Sequence, residues 1–158
     1  MKICYISSGD LIRRKLTHGT KRGKTIFITS EDHIRLKTTL ERLLFEDVKS
    51  YVSLGQLQSE LDRAVILESW AIPLGVVTIN SRVHLLDMDT GETEEWVLTM
   101  PEHADPDGHR LSVLAPIGTA ILGFSEGDEI EWETPGGTRR IKMFKVEGGA
   151  QSRFGIAA

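Results

Sequence analysis

The segment Glu102-His103-Ala104-Asp105-Pro106-Asp107-Gly108-His109 places five side chains able to ligate a metal within one short stretch. Alternating His, Asp, Asp and His could point one way along an extended chain, a donor mix suited to zinc or manganese. Pro106 and Gly108 argue instead for a solvated turn, where Asp serves turn geometry. The turn reading is preferred and no metal site is assigned. Asp87-Met88-Asp89-Thr90-Gly91 lacks the third ligand and closing bidentate Glu of a calcium loop, and reads as a hairpin turn. Gly19-Thr20-Lys21-Arg22-Gly23-Lys24-Thr25 superficially resembles a phosphate-binding loop. Its glycines are one residue too close, and the β-type run Ile26-Phe27-Ile28 follows where a helix should open. No Gly-x-Ser-x-Gly nucleophile elbow occurs. His33 falls in an expected first helical turn and His84 on an exposed strand face, and neither has a nucleophile in its local sequence. No catalytic residue and no cofactor site are assigned, and an enzyme is not expected.

Charge narrows the choice of partner. Of the 158 residues, 27% are charged and 40% hydrophobic, an ordinary globular balance, and the net charge is −4. That mild total conceals a split. Residues 1–24 carry seven Lys/Arg against Asp10, whereas residues 25–158 carry twelve basic and twenty-two acidic residues. An acidic body is a poor binder of naked nucleic acid, because phosphate contacts need clustered Lys/Arg. Cys4 is the only cysteine, which excludes an internal disulfide and a multi-cysteine zinc site. No apolar run approaches the roughly 20 residues of a membrane span, and the start turns polar too early for a signal peptide. A soluble cytoplasmic protein without a membrane partner is expected.

These residues need elements to position them. Residues 1–24 read as a basic, flexible tail, in which Lys2 to Ser7 could form a short strand. Thr29-Ser30-Glu31-Asp32 then signals a helix start, with Thr29 as the cap and the acidic pair suited to the helix dipole. Leu36, Leu40 and Leu43 follow at helical spacing, with Leu44 and Phe45 widening the stripe; Leu54, Leu57, Leu61 and Ala64 form a second stripe. The spacing predicts an antiparallel helical hairpin over 25–72, too short to be stable without a supporting surface. Beyond Pro73 and Gly75 the period becomes two. Val77, Ile79, Ser81, Val83 and Leu85 face one side of a strand, and Trp96, Leu98 and Met100 one side of the next. Leu111–Leu114 reads as a third strand, Pro116–Leu122 as a small helix, and Asp128–Glu133 and Arg139–Val146 as a closing hairpin. The expected fold is α+β: a helical hairpin, then an antiparallel sheet domain with one small helix over 74–149, and a tail at 150–158.

Five motifs occur in order: Val77-Thr78-Ile79-Asn80-Ser81, Asp89-Thr90-Gly91, Leu111-Ser112-Val113-Leu114-Ala115-Pro116-Ile117-Gly118, Glu126-Gly127-Asp128-Glu129-Ile130 and Pro135-Gly136-Gly137. Together they resemble the C-terminal domain of the Gre transcription elongation factors (GreA/GreB), and most closely the sister group named for regulation of nucleoside diphosphate kinase. The resemblance spans residues 26–147, about three quarters of the chain. It implies an FKBP-like β domain and an N-terminal coiled-coil finger. It also implies RNA polymerase as the partner, bound at the secondary channel, with DNA or RNA met only inside the transcription complex. Ser112, Pro116, Ile117 and Gly118 match the region that docks on polymerase; the simpler reading is that Pro116 to Gly118 start a helix packed on the sheet.

The departures from that pattern concern the finger tip. Gre cleavage factors carry an acidic pair there that holds a second magnesium ion in the polymerase active site, as two-metal chemistry requires. Here the tip reads Asp47-Val48-Lys49-Ser50-Tyr51-Val52-Ser53-Leu54-Gly55. Glu46 and Asp47 are adjacent, so on a helix they diverge by about 100° rather than converge. They read as a solvated helix end, or as a secondary contact in the channel. The finger also looks shorter than in the cleavage factors, and Ala115 stands where those factors usually show Ser. The expectation is therefore a polymerase-binding regulator without transcript cleavage, one that also influences nucleoside diphosphate kinase. A Gre-type cleavage factor is the alternative, and a prolyl isomerase a remoter one resting on fold analogy alone.

Overall fold

The computed structural model describes residues 25–45, 52–134 and 136–150. The expected tail strand, most of the glycine-bearing loop at 19–25, Glu46 and Asp47 with the rest of the tip turn, and residues 151–158 lie outside them. Strand β1 (Phe27–Thr29) leads directly into helix α1 (Ser30–Phe45). Thr29 caps that helix: its Oγ1 accepts the Asp32 N–H at 3.0 Å, at a site closed to solvent. Leu36 and Leu40 are buried, and they share a core with Leu54, Leu57 and Leu61 of helix α2 (Val52–Arg63).

Leu44 and Phe45 do not widen the stripe as expected; Phe45 is 92% exposed. Nine residues beyond Leu36, at about 100° per residue, Phe45 falls on the opposite side of the helix. Ile34 shares that outer side and is exposed as well.

A two-stranded parallel ribbon, not expected from the sequence, closes the base of the helices. Strand β2 (Val65–Leu67) pairs with β1, placing Phe27 opposite Val65 and Thr29 opposite Leu67. Parallel strands need a long crossover, and α1 with α2 supplies it. Three-residue strands are too short to show a period, which is why β1 reads as a lead-in and β2 as part of the helical segment.

The larger sheet has the strand order β5-β4-β3-β7-β6, from strands β3 (Ser81–Asp87), β4 (Thr93–Thr99), β5 (Arg110–Ser112), β6 (Glu129–Thr134) and β7 (Gly137–Gly148). Its pairs are antiparallel except β4 with β5, which run parallel. The loop of residues 100–109 carries the chain back far enough for Arg110 to pair with Val97. The first strand of the domain also starts later than its alternation suggests. Ser81 Oγ accepts the Thr78 N–H at 2.9 Å, and Asn80 adopts a positive φ of 69°, so residues 77–80 turn while Val77 and Ile79 stay buried.

Helix α3 (Pro116–Ile121) crosses the inner face of this sheet. It ends at Gly123, where φ is +78° and a Cβ would stand 2.6 Å from that of Ile26. The close approach ties the ribbon to the sheet domain. Leu36, Leu40, Leu57 and Leu61 belong to the same buried cluster as Val83, Leu98, Ile121 and Ile141. The helices thus find their supporting surface on the sheet domain itself. No helix among the described residues is long and apolar enough to cross a membrane.

Candidate docking site

The four residues matched to polymerase docking form one corner, where β5 gives way to α3. Ser112 Oγ accepts the Leu114 N–H at 3.1 Å and the Ser112 carbonyl accepts the Ala115 N–H at 3.0 Å, so the strand stops and the chain turns. Pro116 then occupies the first helical turn, where its missing N–H costs nothing. The corner divides by depth. Ser112 and Pro116 are half-buried, whereas Ile117 and Gly118 are buried. A Cβ on Gly118 would stand 2.1 Å from the Ser112 carbonyl oxygen, so the helix can lie this close to β5 only without a side chain there. Thr119 Oγ1 donates to the Val113 carbonyl at 2.7 Å and fastens the helix from beneath. A partner reaching this corner therefore meets Ser112 and Pro116, with Ile117 and Gly118 as their support.

The other candidates are dispersed. His103, Asp105, Asp107 and His109 serve a turn. Asp105 pairs with Arg110 at 3.3 Å, while the His109 ring lies tilted with its centroid 5.2 Å from that of Trp96 and its Nδ1 bonds the Glu95 carbonyl at 2.9 Å. Backbone hydrogen bonding from Gly108, then the Arg110 side chain, holds the Asp105 carboxyl below its usual range. No group of three or more His, Cys, Asp or Glu is placed to hold a metal ion among the described residues. The turn after β3 has the expected hairpin role: Asp87 Oδ1 accepts the Asp89 and Thr90 N–H groups at 2.8 and 3.0 Å. Asp89 in turn accepts the Arg140 N–H at 3.1 Å, and that bond, followed by the Arg140 side chain, lowers its pKa.

The outer face of the sheet holds an ionic ladder that spacing alone does not reveal. His84 lies half-buried between Glu95 (3.6 Å) on β4 and Glu147 (3.1 Å) on β7. Arg82 reaches Glu95 at 3.5 Å, and Lys145 reaches Glu147 at 2.7 Å. The Lys145 bond, then His84, pulls the Glu147 carboxyl down, and the same bond raises the Lys145 pKa. Alternation placed Arg82 and His84 on one face; their partners depend on strand order, which sequence periodicity does not contain. The ladder binds three strands laterally.

Known proteins resemble this chain in sequence and fold. A family model described as Transcription elongation factor, GreA/GreB, C-term matches residues 72–148. The chain is 38% identical over 124 residues to the regulator of nucleoside diphosphate kinase of Escherichia coli (strain K12), covering 78% of this chain and 89% of that protein. To the transcription elongation factor GreA of Desulfotalea psychrophila it is 36% identical over 93 residues, covering 59% of this chain and 58% of that one. Among solved structures, the prokaryotic transcription elongation factor GreA/GreB from Nitrosomonas europaea superposes with a TM-score of 0.68 at 36% identity. That superposition covers 79% of this chain and 99% of the other.

Proposed function

The chain belongs to the GreA/GreB family of transcription elongation factors, as a homologue of the regulators of nucleoside diphosphate kinase, and from that premise we propose that it regulates transcription by binding RNA polymerase at the secondary channel without stimulating transcript cleavage. The carrying observation is the match over 89% of the kinase regulator, against 58% of the GreA relative. In this reading α1 and α2 form the coiled-coil finger and the sheet with α3 forms the FKBP-like domain. The domain rests on the channel rim through Ser112 and Pro116, braced by Ile117 and Gly118.

The finger supports a non-cleaving role on two grounds. The 16 described residues of α1 span about 24 Å, which fits a short finger. Its tip lacks the acidic signature that would place a second magnesium ion, and adjacent carboxylates such as Glu46 and Asp47 cannot converge from one helix. The protein occupies the channel and excludes factors that do cleave. The name of the Escherichia coli relative supports a role in regulating nucleoside diphosphate kinase as well.

A pull-down with core RNA polymerase tests the reading directly. Retention that a cleavage factor displaces is the expected result, and failure to bind core enzyme overturns it. Backtracked complexes test the second clause. RNA shortened by this protein, with the shortening lost in Glu46→Ala or Asp47→Ala, would make it a cleavage factor instead.

A further inference from the structure

The segment from β2 to the start of the sheet domain gathers apolar side chains at the surface. Val65, Ile66, Trp70 and Leu74 are four of the eight large hydrophobic residues exposed among the described residues, with Trp70 at 69% and Leu74 at 64%. Single apolar residues are ordinary at a surface, whereas a cluster marks an interaction site. The backbone presents this one rigidly. A single 3-10 turn at Ser69–Ala71 is closed by the Ala71 N–H on the Glu68 carbonyl at 2.8 Å, and Ile72 beyond it is buried with Val76 against Phe27 and Leu67. Two exposed carboxylates accompany the apolar side chains. Glu68 precedes Trp70 by two residues, and its Oε1 accepts the Ser30 hydroxyl at 3.3 Å. Glu126 lies beside Gly75, whose carbonyl accepts its N–H at 2.7 Å, and its Oε2 accepts the Val146 N–H at 3.0 Å. Neither carboxylate forms an ion pair among the described residues, unlike Glu95, Glu147, Asp89 and Asp105.

We propose that this face is a second contact with RNA polymerase, taking a polymerase segment that carries Lys or Arg beside an apolar side chain; the proposal rests on the polymerase-binding reading above. Charge chooses this occupant. A cationic apolar segment covers Trp70 and Leu74 and neutralises Glu68 and Glu126, whereas a second copy of this acidic chain would set carboxylates against carboxylates. Position fits as well. Gly123, just past the end of α3, abuts Ile26 at the foot of the ribbon, and the six residues of α3 span about 9 Å. The corner at Pro116 and the ribbon are therefore near enough for one partner to reach both within a standard interface of about 800 Å² a side.

The test is the affinity of the full chain and its variants for core RNA polymerase, titrated at low and at moderate salt. Trp70→Ser and Leu74→Ser should each weaken binding at least fivefold, with an unchanged melting temperature because both side chains are exposed. Glu68→Lys should weaken it as much at low salt, and less as added salt screens the charges. Phe144→Ser, which removes an exposed aromatic on β7 instead, should bind as the parent does. Parent-like binding by Trp70→Ser, Leu74→Ser and Glu68→Lys, with Pro116→Glu weakened, overturns this contact and leaves the polymerase-binding reading standing. A parent chain that fails to bind core enzyme overturns both. A dimer of the free chain that Trp70→Ser dissolves, with polymerase affinity unchanged, assigns the face to a second copy and overturns the proposal.

Discussion

Gly118 is the residue at which the corner between β5 and α3 tolerates least. Its missing side chain leaves room for the Ser112 carbonyl, and the backbone there cannot retreat without parting α3 from β5. Gly118→Ala should cost about 2–3 kcal/mol in denaturant unfolding, as forced overpacking does. Gly55 in α2 provides the contrast, because a Cβ there meets nothing within 4 Å. Gly55→Ala should stabilise by about 0.5–1 kcal/mol through helix propensity and a less free unfolded chain. The Lys145–Glu147 pair is tested by pH. A lowered carboxyl adds stability above its ordinary value of 4.5, and that stability is lost as pH falls through the depressed value. The raised ammonium adds stability below its ordinary 10.5, lost as pH rises through the elevated value. Melting temperature in Glu147→Gln should therefore fall less steeply than in the parent below pH 4.5, and should change little between pH 6 and 8.

The elements are governed by where a period meets a surface. Thr29→Ala removes the oxygen that satisfies the buried Asp32 N–H, and about 1 kcal/mol should be lost with the cap. Leu40→Ala should cost about 2–5 kcal/mol, because Leu40 is fully buried in the core that the helices share with the sheet. Phe45→Ser, on the outer side of the same helix, should leave the unfolding midpoint nearly unchanged. These contrasts mark how far the sequence could be read. The helix cap, both leucine stripes, the hairpin turn at Asp87 and the Pro116 helix were legible because each depends on neighbours within four residues. The β1–β2 ribbon and the parallel β4–β5 pair were not, since a three-residue strand carries no period and pairing direction depends on a distant return of the chain. The corner at Ser112 to Gly118 was legible only as a motif. That Ser112 and Pro116 are half-buried while Ile117 and Gly118 are buried is a matter of packing depth, which linear spacing does not encode.

At the scale of the molecule, the shared core joining helices to sheet bears on the proposed mechanism. Leu57 and Leu61 of α2 lie in the same buried cluster as Ile117 and Ile121 of α3, so α2 and the corner at α3 share one core. In the proposed reading, a contact at the corner is thereby coupled to the helices through that core. The acidic body suits docking on a protein rim, where complementary charge steers association, better than it suits a nucleic-acid surface. Competition exposes both features together. In backtracked complexes supplied with a cleavage factor, this protein should slow RNA shortening in proportion to its concentration. Pro116→Glu keeps a residue suited to the first helical turn while placing a charge on the half-buried corner. It should require at least tenfold more protein for the same inhibition, with an unchanged melting temperature. Glu46→Ala and Asp47→Ala should inhibit as the parent does, because exclusion from the channel needs the finger's bulk and its fixed direction rather than carboxylates at its tip. Loss of inhibition in the tip variants, with Pro116→Glu fully active, would move the site of action from the rim to the tip.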